Sequence, residues 1–325
     1  MTFDVPEDAK GQRLDRWLTE ALPERSRSWV TRAVEDRRVT VSGAVASKPG
    51  LVLRGGESIA IAPSAEDDIG SAPLGEDIPL TVVYQDEHLA VIDKPSGLVV
   101  HPAAGHRSGT LVNALLHWAR SEDIELDIDD EVRPGIVHRI DKDTSGLLVV
   151  AFDDQALRGL QAKFQAHDIE RLYRAVVHGT RLDDEGTRTS DLGRHRHDRK
   201  KFASLPVGVG VGKHAVTHWR TLQRGRALAL VECRLETGRT HQIRVHLSEM
   251  GYPIVSDPIY GNDNKRSRRD NRTTAIAMEE GAARAMPRLA LHAAVLGFEH
   301  PVTGQALRFE SPDPADFATL VRAIG

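Results

Sequence analysis

His138-Arg139-Ile140-Asp141-Lys142-Asp143-Thr144-Ser145-Gly146 runs straight into Leu147-Leu148-Val149-Val150-Ala151. A dense polar loop thus ends in an apolar run with the length and β-branching of a buried strand. One carboxylate, Asp141, and one guanidinium, Arg139, sit on a loop braced by a rigid element, a placement that often carries chemistry. Read alone, Asp141 or Asp143 could equally cap a turn that closes at Gly146. The residues further along the chain decide between these readings.

Around this segment the chain reads as ordinary globular protein. Its 325 residues suffice for two domains, and 40% hydrophobic with 28% charged residues is unexceptional. Cys233 is the single cysteine, so no internal disulfide can form, which fits a reducing cytoplasm. The first residues are acidic and lack the basic and apolar regions of a signal peptide. No apolar run approaches the ~18 residues that span a bilayer. A cytoplasmic protein away from membranes is expected, with a monomer as the default.

The formal net charge of -4 argues by itself against nucleic acid. The charge is unevenly placed, however, and phosphate binding depends on the local field. Base concentrates at Arg25-Ser26-Arg27, at Arg194-His195-Arg196-His197-Asp198-Arg199-Lys200-Lys201 and at Lys265 to Arg269.

From about Gly11 to Pro63 the pattern predicts a small unit of two helices and a short sheet. Leu14, Trp17 and Leu18 recur at helical spacing, as do Trp29, Ala33 and Val34. Ser26 and Ser28 suit the start of the second helix. Residues 64–80 are acidic and marked by Gly and Pro, and read as a linker. A larger domain over residues 81–325 follows. Strands are expected at 82–84, 89–92, 172–178, 215–222, 228–235, 289–293 and 306–309. Helices are expected at 110–118, 157–164 and 240–250, the last stopped by Gly251. The polar stretch from Asn262 to Pro287 is expected to be a mobile insertion. Strands with interspersed helices, without regular βαβ units, predict an α+β domain built on a mixed, mainly antiparallel sheet with a cleft.

Metal and nucleotide motifs are poorly supported. His195/His197 and His241/His246 lack the His-Glu-x-x-His spacing that sets two ligands on one helical face. One cysteine excludes a cysteine-rich zinc site. Gly208, Gly210 and Gly212 have no phosphate-loop Lys-Ser/Thr after them.

Three blocks complete the picture: Asp93-Lys94-Pro95, Arg171-Leu172-Tyr173-Arg174, and Thr237-Gly238-Arg239-Thr240-His241-Gln242-Ile243-Arg244. Together with His138–Gly146 and Asp257-Pro258-Ile259-Tyr260-Gly261, they resemble the RluA/RluD-type pseudouridine synthase family. The leading unit resembles the S-four RNA-binding domain, through Arg13-Leu14-Asp15, Ser26-Arg27-Ser28 and Val39-Thr40-Val41-Ser42-Gly43. The resemblance implies isomerisation of uridine within RNA: the base leaves ribose at N1, turns, and rejoins through C5. Nothing is consumed, so no cofactor is implied. Asp141 matches the essential aspartate, acting as nucleophile or proton acceptor. Arg239 matches the arginine that pairs with it, a pairing that would keep the carboxylate ionised after water is expelled. Tyr173 matches the tyrosine that stacks on the target base; on residue type alone it would be a core tyrosine. Arg139 matches the arginine that fills the space left by a flipped base, an eversion costing a few kcal/mol. Arg25, Arg27, Arg194, Arg199 and Lys200 are the expected phosphate contacts. Arg171 departs from the lysine of many relatives but keeps the charge. His101–Gly105 and Leu111–His117 look most like members acting on large-subunit ribosomal RNA. Transfer RNA as substrate, or a non-catalytic ribosome-assembly role, stays open at this point.

Overall fold

The computed structural model describes residues 1–22, 27–63, 73–101, 108–124, 126, 135–198, 200–208, 210, 212–261 and 274–325, with backbone only for Arg27 and Ser28. The chain falls into two compact units that divide between Ala72 and Pro73.

In the first unit, strands β1 (Thr2–Asp4), β2 (Val39–Val41), β3 (Ala44–Val45) and β4 (Ser58–Ile61) form an antiparallel sheet in the order β1-β4-β2-β3. Helices α1 (Leu14–Ala21) and α2 (Arg27–Glu35) cover it. Leu14, Leu18, Val30, Ala33, Val39 and Ile59 form its buried core, the apolar positions that helical and strand periodicity select. The unit starts earlier than the sequence pattern implied. Strand β1 lies upstream of Gly11 and pairs with β4 through Phe3 and Ile59. Arg25 lies outside the described residues, and Arg27 opens α2.

The second unit is built on one large sheet. Its strands are β5 (Thr81–Gln85), β6 (Leu89–Lys94), β7 (Ser145–Ala151), β8 (Glu170–His178), β9 (Glu185–Arg194), β10 (Phe202–Leu205), β11 (Lys213–Arg224), β12 (Leu228–Leu235), β13 (Leu291–Glu299) and β14 (Ala306–Glu310). The order is β10-β9-β11-β12-β8-β13-β7-β6-β5, with β14 also paired to β13. Among the described residues only β13 and β7 run parallel. The fold is therefore α+β with a mainly antiparallel sheet, as the sequence predicts. Helices α3 (Leu111–Ser121), α4 (Asp154–Ala166), α5 (Gln242–Glu249), α6 (Thr274–Ala285) and α7 (Ala315–Arg322) complete the unit.

Every residue of β7 is buried. Leu147, Val149 and Ala151 pack with Ala156 and Leu160 of α4, while Leu148 and Val150 pack with Leu111 and Leu115 of α3. A strand covered on both faces needs apolar residues at every position, which is why the run after Gly146 does not alternate. Gly146 is required where β7 meets β13. It sits opposite Ala293 at φ +111, and a Cβ there would collide with the Ala293 carbonyl oxygen.

Two expectations are corrected. Residues 73–80 are not linker: Asn113 Nδ2 donates to Leu74 O (2.7 Å), Glu76 accepts from Gly109 N (3.1 Å), and Ile78 and Leu80 join the α3 core. Residues 64–72 lie outside the described residues. Within the stretch read as a mobile insertion, residues 274–285 form α6, while 262–273 lie outside the described residues. Helix α6 is tied down by Glu279, which is 1% exposed and accepts from the amides of Arg226, Ala227 and Leu228 at 2.7–2.8 Å. One buried carboxylate thereby binds the turn between β11 and β12. Composition alone gave no sign of this, because the helix buries few large apolar side chains. Strands β9 and β10 and helix α7 were not anticipated either.

Candidate active site

Asp141 opens a turn closed by the bond from Thr144 N to Asp141 O (3.1 Å), immediately before β7. The segment 94–98 clamps this turn from outside. Lys94 is fully buried, and its ammonium donates to Pro95 O (2.7 Å), Leu98 O (2.9 Å) and Lys142 O (3.1 Å). Gly97 N also donates to Lys142 O, and Ser96 Oγ to Asp143 O, both at 2.8 Å. Burial pulls the Lys94 pKa down to about 7, with Asp143 and Asp141 opposing the shift. The Asp93-Lys94-Pro95 block thus acts as a brace for the Asp141 loop.

Asp141 lines a cleft of about 570 Å³ together with Arg139, Arg171, Tyr173, Arg239, His241 and Arg244. Four of the sequence-predicted residues, Asp141, Tyr173, Arg139 and Arg239, share this space. The expected ion pair is different. Arg239 donates from Nε to His214 O at 3.0 Å and is not an ion-pair partner of Asp141. The guanidinium on Asp141 belongs to Arg244, whose Nη1 donates to Oδ2 at 2.9 Å. The same guanidinium grips Asp257 with two bonds, Nε to Oδ2 (2.8 Å) and Nη2 to Oδ1 (2.9 Å). Asp257 is fully buried and also accepts from Ile259 N and Tyr260 N. Burial alone would raise the Asp257 carboxyl, but Arg244 and these amides outweigh it and hold the group below the usual range. Arg244 likewise stays charged despite its burial, because two carboxylates face it.

The reason for the exchange of Arg239 for Arg244 is helical geometry. Arg239 precedes α5, in a turn locked by Gln242. The Gln242 Oε1 accepts from Thr237 Oγ1 (2.8 Å) and Arg239 N (3.0 Å), and its Nε2 donates to Val216 O (2.9 Å) and Thr217 Oγ1 (3.0 Å). Gln242 and His246, one helical turn apart, therefore face the sheet, His246 bonding Ser190 and Thr217 at 2.9 Å. His241 and Arg244, three apart, face the Asp141 loop instead. That spacing, and the unassigned Asp257-Pro258-Ile259-Tyr260-Gly261 block, were the signals available in the sequence for Arg244 and Asp257.

Tyr173 projects from β8 and is 8% exposed. Its hydroxyl has no hydrogen-bond partner among the described residues, whereas a core tyrosine normally finds one. Burial raises its pKa, with Arg171 opposing and Asp141 reinforcing the shift. Arg171 is 5% exposed, donates from Nη2 to Glu236 O (2.7 Å) and lies over the Phe164 ring at 5.2 Å. His138 stacks on the same ring at 4.5 Å and accepts from Val149 N (3.1 Å). Burial first, then the Arg171 charge, lowers the His138 pKa to about 3, so it is neutral and serves β7 as an acceptor.

Of the expected phosphate contacts, Arg139 is exposed at the cleft and donates from Nη1 to His101 Nε2 at 3.4 Å. Arg194 ends β9 with its guanidinium 4.8 Å above the Phe202 ring. Lys200 lies exposed in the β9–β10 turn, its amide donating to Asp198 Oδ1 (2.9 Å). Arg199 lies outside the described residues. Among the described residues no cluster of His, Cys, Asp and Glu could hold a metal ion.

Comparison with known proteins gives a consistent answer. Residues 88–249 match the RNA pseudouridylate synthase family and residues 12–59 match the S4 domain. The ribosomal large subunit pseudouridine synthase D of Pseudomonas aeruginosa is 44% identical over 321 residues, covering 99% of this chain and 94% of that protein. The protein of the same name from Escherichia coli K12 is 40% identical over 324 residues, covering 100% of this chain and 94% of its own length. Among solved structures, human RNA pseudouridylate synthase domain containing 4 aligns at a TM-score of 0.57 and 25% identity, covering 75% of this chain and 92% of that one. With a near-complete match to these relatives and an N-terminal S4 domain, the chain belongs to the RNA pseudouridylate synthase family.

Proposed function

We propose that this chain converts uridine to pseudouridine in large-subunit ribosomal RNA, with Asp141 as the group that acts on the everted nucleotide. One observation carries the assignment of Asp141: its carboxylate is held in the cleft by a buried arginine that is itself locked to a buried second carboxylate. Such a chain of buried charges is expensive to maintain, and a module that only binds RNA has no need of it. Only Oδ2 of Asp141 is taken by Arg244, so Oδ1 is left to face a substrate. As nucleophile or as proton acceptor, a carboxylate fixed in this way meets the sugar or base without reorganising. Tyr173, with its unpartnered hydroxyl beside Asp141, supplies a flat apolar face for the flipped pyrimidine. Arg139, exposed at the mouth of the cleft, is placed to enter the gap in the RNA, where a planar guanidinium stacks well.

The large-subunit substrate is supported by relatives whose names specify it and which match nearly the whole chain. The S4 domain, with Arg194 and Lys200 on the larger unit, supplies contacts that position RNA without reading its sequence. Because isomerisation consumes nothing, the reading requires no small-molecule cofactor. A reducing cytoplasm accords with the single buried thiol of Cys233, and a monomer is kept as the default.

The decisive experiment is tritium release from large-subunit RNA carrying uridine labelled at C5. Asp141→Asn should lose turnover while its RNA affinity stays within about threefold, because the substitution is isosteric. Retained turnover would remove Asp141 from its role.

A further inference from the structure

His241 lines the same cleft as Asp141 and Tyr173, yet the proposed chemistry leaves it without a task. It occupies the position just before α5 in the left-handed region, at φ 59 and ψ 18. Its ring is held edge-on between Phe202 and Tyr260, with centroids 5.7 and 5.5 Å away. Its Nδ1 lies 2.8 Å from Tyr260 Oη, and its Nε2 lies 4.0 Å from Asp141 Oδ2.

The tautomer of this ring follows from its neighbours. Tyr260 Oη already accepts the Phe202 amide proton at 2.8 Å. Its own hydroxyl proton then needs an acceptor, and among the described residues His241 Nδ1 is the atom bonded to it. A neutral ring that accepts at Nδ1 carries its proton on Nε2, pointing at the Asp141 carboxylate. The opposite tautomer would aim a lone pair at an anion. Burial favours the neutral ring, with Asp141 and Asp257 opposing and Arg244 and Arg139 adding to the effect.

We propose that His241 is a positioning residue for Asp141. When a uridine fills the cleft and displaces water, its Nε2–H closes onto Oδ2 and joins Arg244 Nη1 on that oxygen. A second donor on that oxygen restricts the rotation of the group more tightly than Arg244 alone and directs Oδ1 at the nucleotide. Apo distances of this kind commonly shorten in the substrate complex. The inference rests on the reading of Asp141 given above.

The test is single-turnover pseudouridine formation in large-subunit RNA by the full chain, with RNA affinity and thermal unfolding measured alongside. His241→Gln places an amide N–H near the Nε2 position and cannot titrate. His241→Asn tolerates the left-handed backbone but reaches only the Nδ1 position. The glutamine variant should keep its rate within about fivefold, while the asparagine variant should lose about 30-fold or more at unchanged RNA affinity. Tyr260→Phe, which releases the tautomer, should fall between them. The proposal is overturned if the asparagine variant turns over within about threefold of the parent, or if glutamine falls as far as asparagine. It is equally overturned if Tyr260→Phe matches the parent. The parallel Asp141→Asn reaction separates the two failures: turnover there sinks the role of Asp141 itself, whereas its loss alongside an active His241→Asn variant sinks only the positioning role.

Discussion

Replacing Arg244 tests the structural account most directly, because Arg239 is available as a matched control five residues away. Arg244 makes three charge-assisted bonds to two carboxylates. Arg244→Met removes all three and strands Asp257, whose side chain is fully buried. Removing one partner of such a buried pair costs about 3–5 kcal/mol. The amides of Ile259 and Tyr260 still reach Asp257, which places the expected loss near the lower end, about 3 kcal/mol. Arg244→Lys keeps the charge but cannot fork between Asp257 and Asp141. Losing one such bond costs about 1.5–3 kcal/mol. Arg239→Met gives up one bond to a backbone carbonyl at the surface and should stay within about 0.5 kcal/mol. Denaturant unfolding measures all three. The pH dependence supplies an independent check. The folded pKa of Asp257 is depressed, so its contribution is present above the ordinary carboxylate range and is lost as pH falls through the folded value. The gap between the parent and Arg244→Met should therefore be widest near neutrality and narrow in acid. Turnover should fall about 100-fold or more in Arg244→Lys, since Asp141 loses its fixed orientation. An unfolding midpoint for Arg244→Met equal to that of the parent, or a larger loss in Arg239→Met, would refute the network.

Three further outcomes are expected. Gly146→Ala should cost about 3 kcal/mol or more, because a Cβ at φ +111 meets the Ala293 carbonyl oxygen between β7 and β13; an unchanged thermal midpoint would contradict that close approach. Glu279→Gln puts an N–H group against a turn that offers three amide donors, and should cost about 2–4 kcal/mol in denaturant unfolding if α6 anchors the β11–β12 turn. Lys94 titrates near 7 in the folded chain against an ordinary 10.5, so between those values the unfolded chain binds the extra proton and stability from this group rises with pH. Unfolding of Lys94→Met followed from pH 7 to 10 should lack that rise, and an identical slope in both proteins would show that the three carbonyl acceptors outweigh burial and keep the Lys94 pKa undepressed.

Much of this protein was legible without coordinates. The unbroken apolar run after Gly146 marked a doubly covered strand, because a sheet packed on both faces leaves no position for alternation. The polar loop before it marked the place of Asp141, and local periodicity placed α1, α3, α4 and α5 within a few residues. These features depend on neighbours along the chain. The partner of Asp141 does not. Arg239 and Arg244 lie on one short motif and carry the same charge, and only the start of α5 at Gln242 decides which of them turns toward the loop. Asp257, the anchor of that arginine, is thirteen residues away in sequence and becomes its neighbour only through the fold. Glu279 likewise shows its purpose only when α6 lies against the β11–β12 turn. The sequence determined which groups were present and which segments could hold them. The tertiary structure decided which charges meet, because an ion pair depends on distances of a few ångströms that no spacing along the chain fixes.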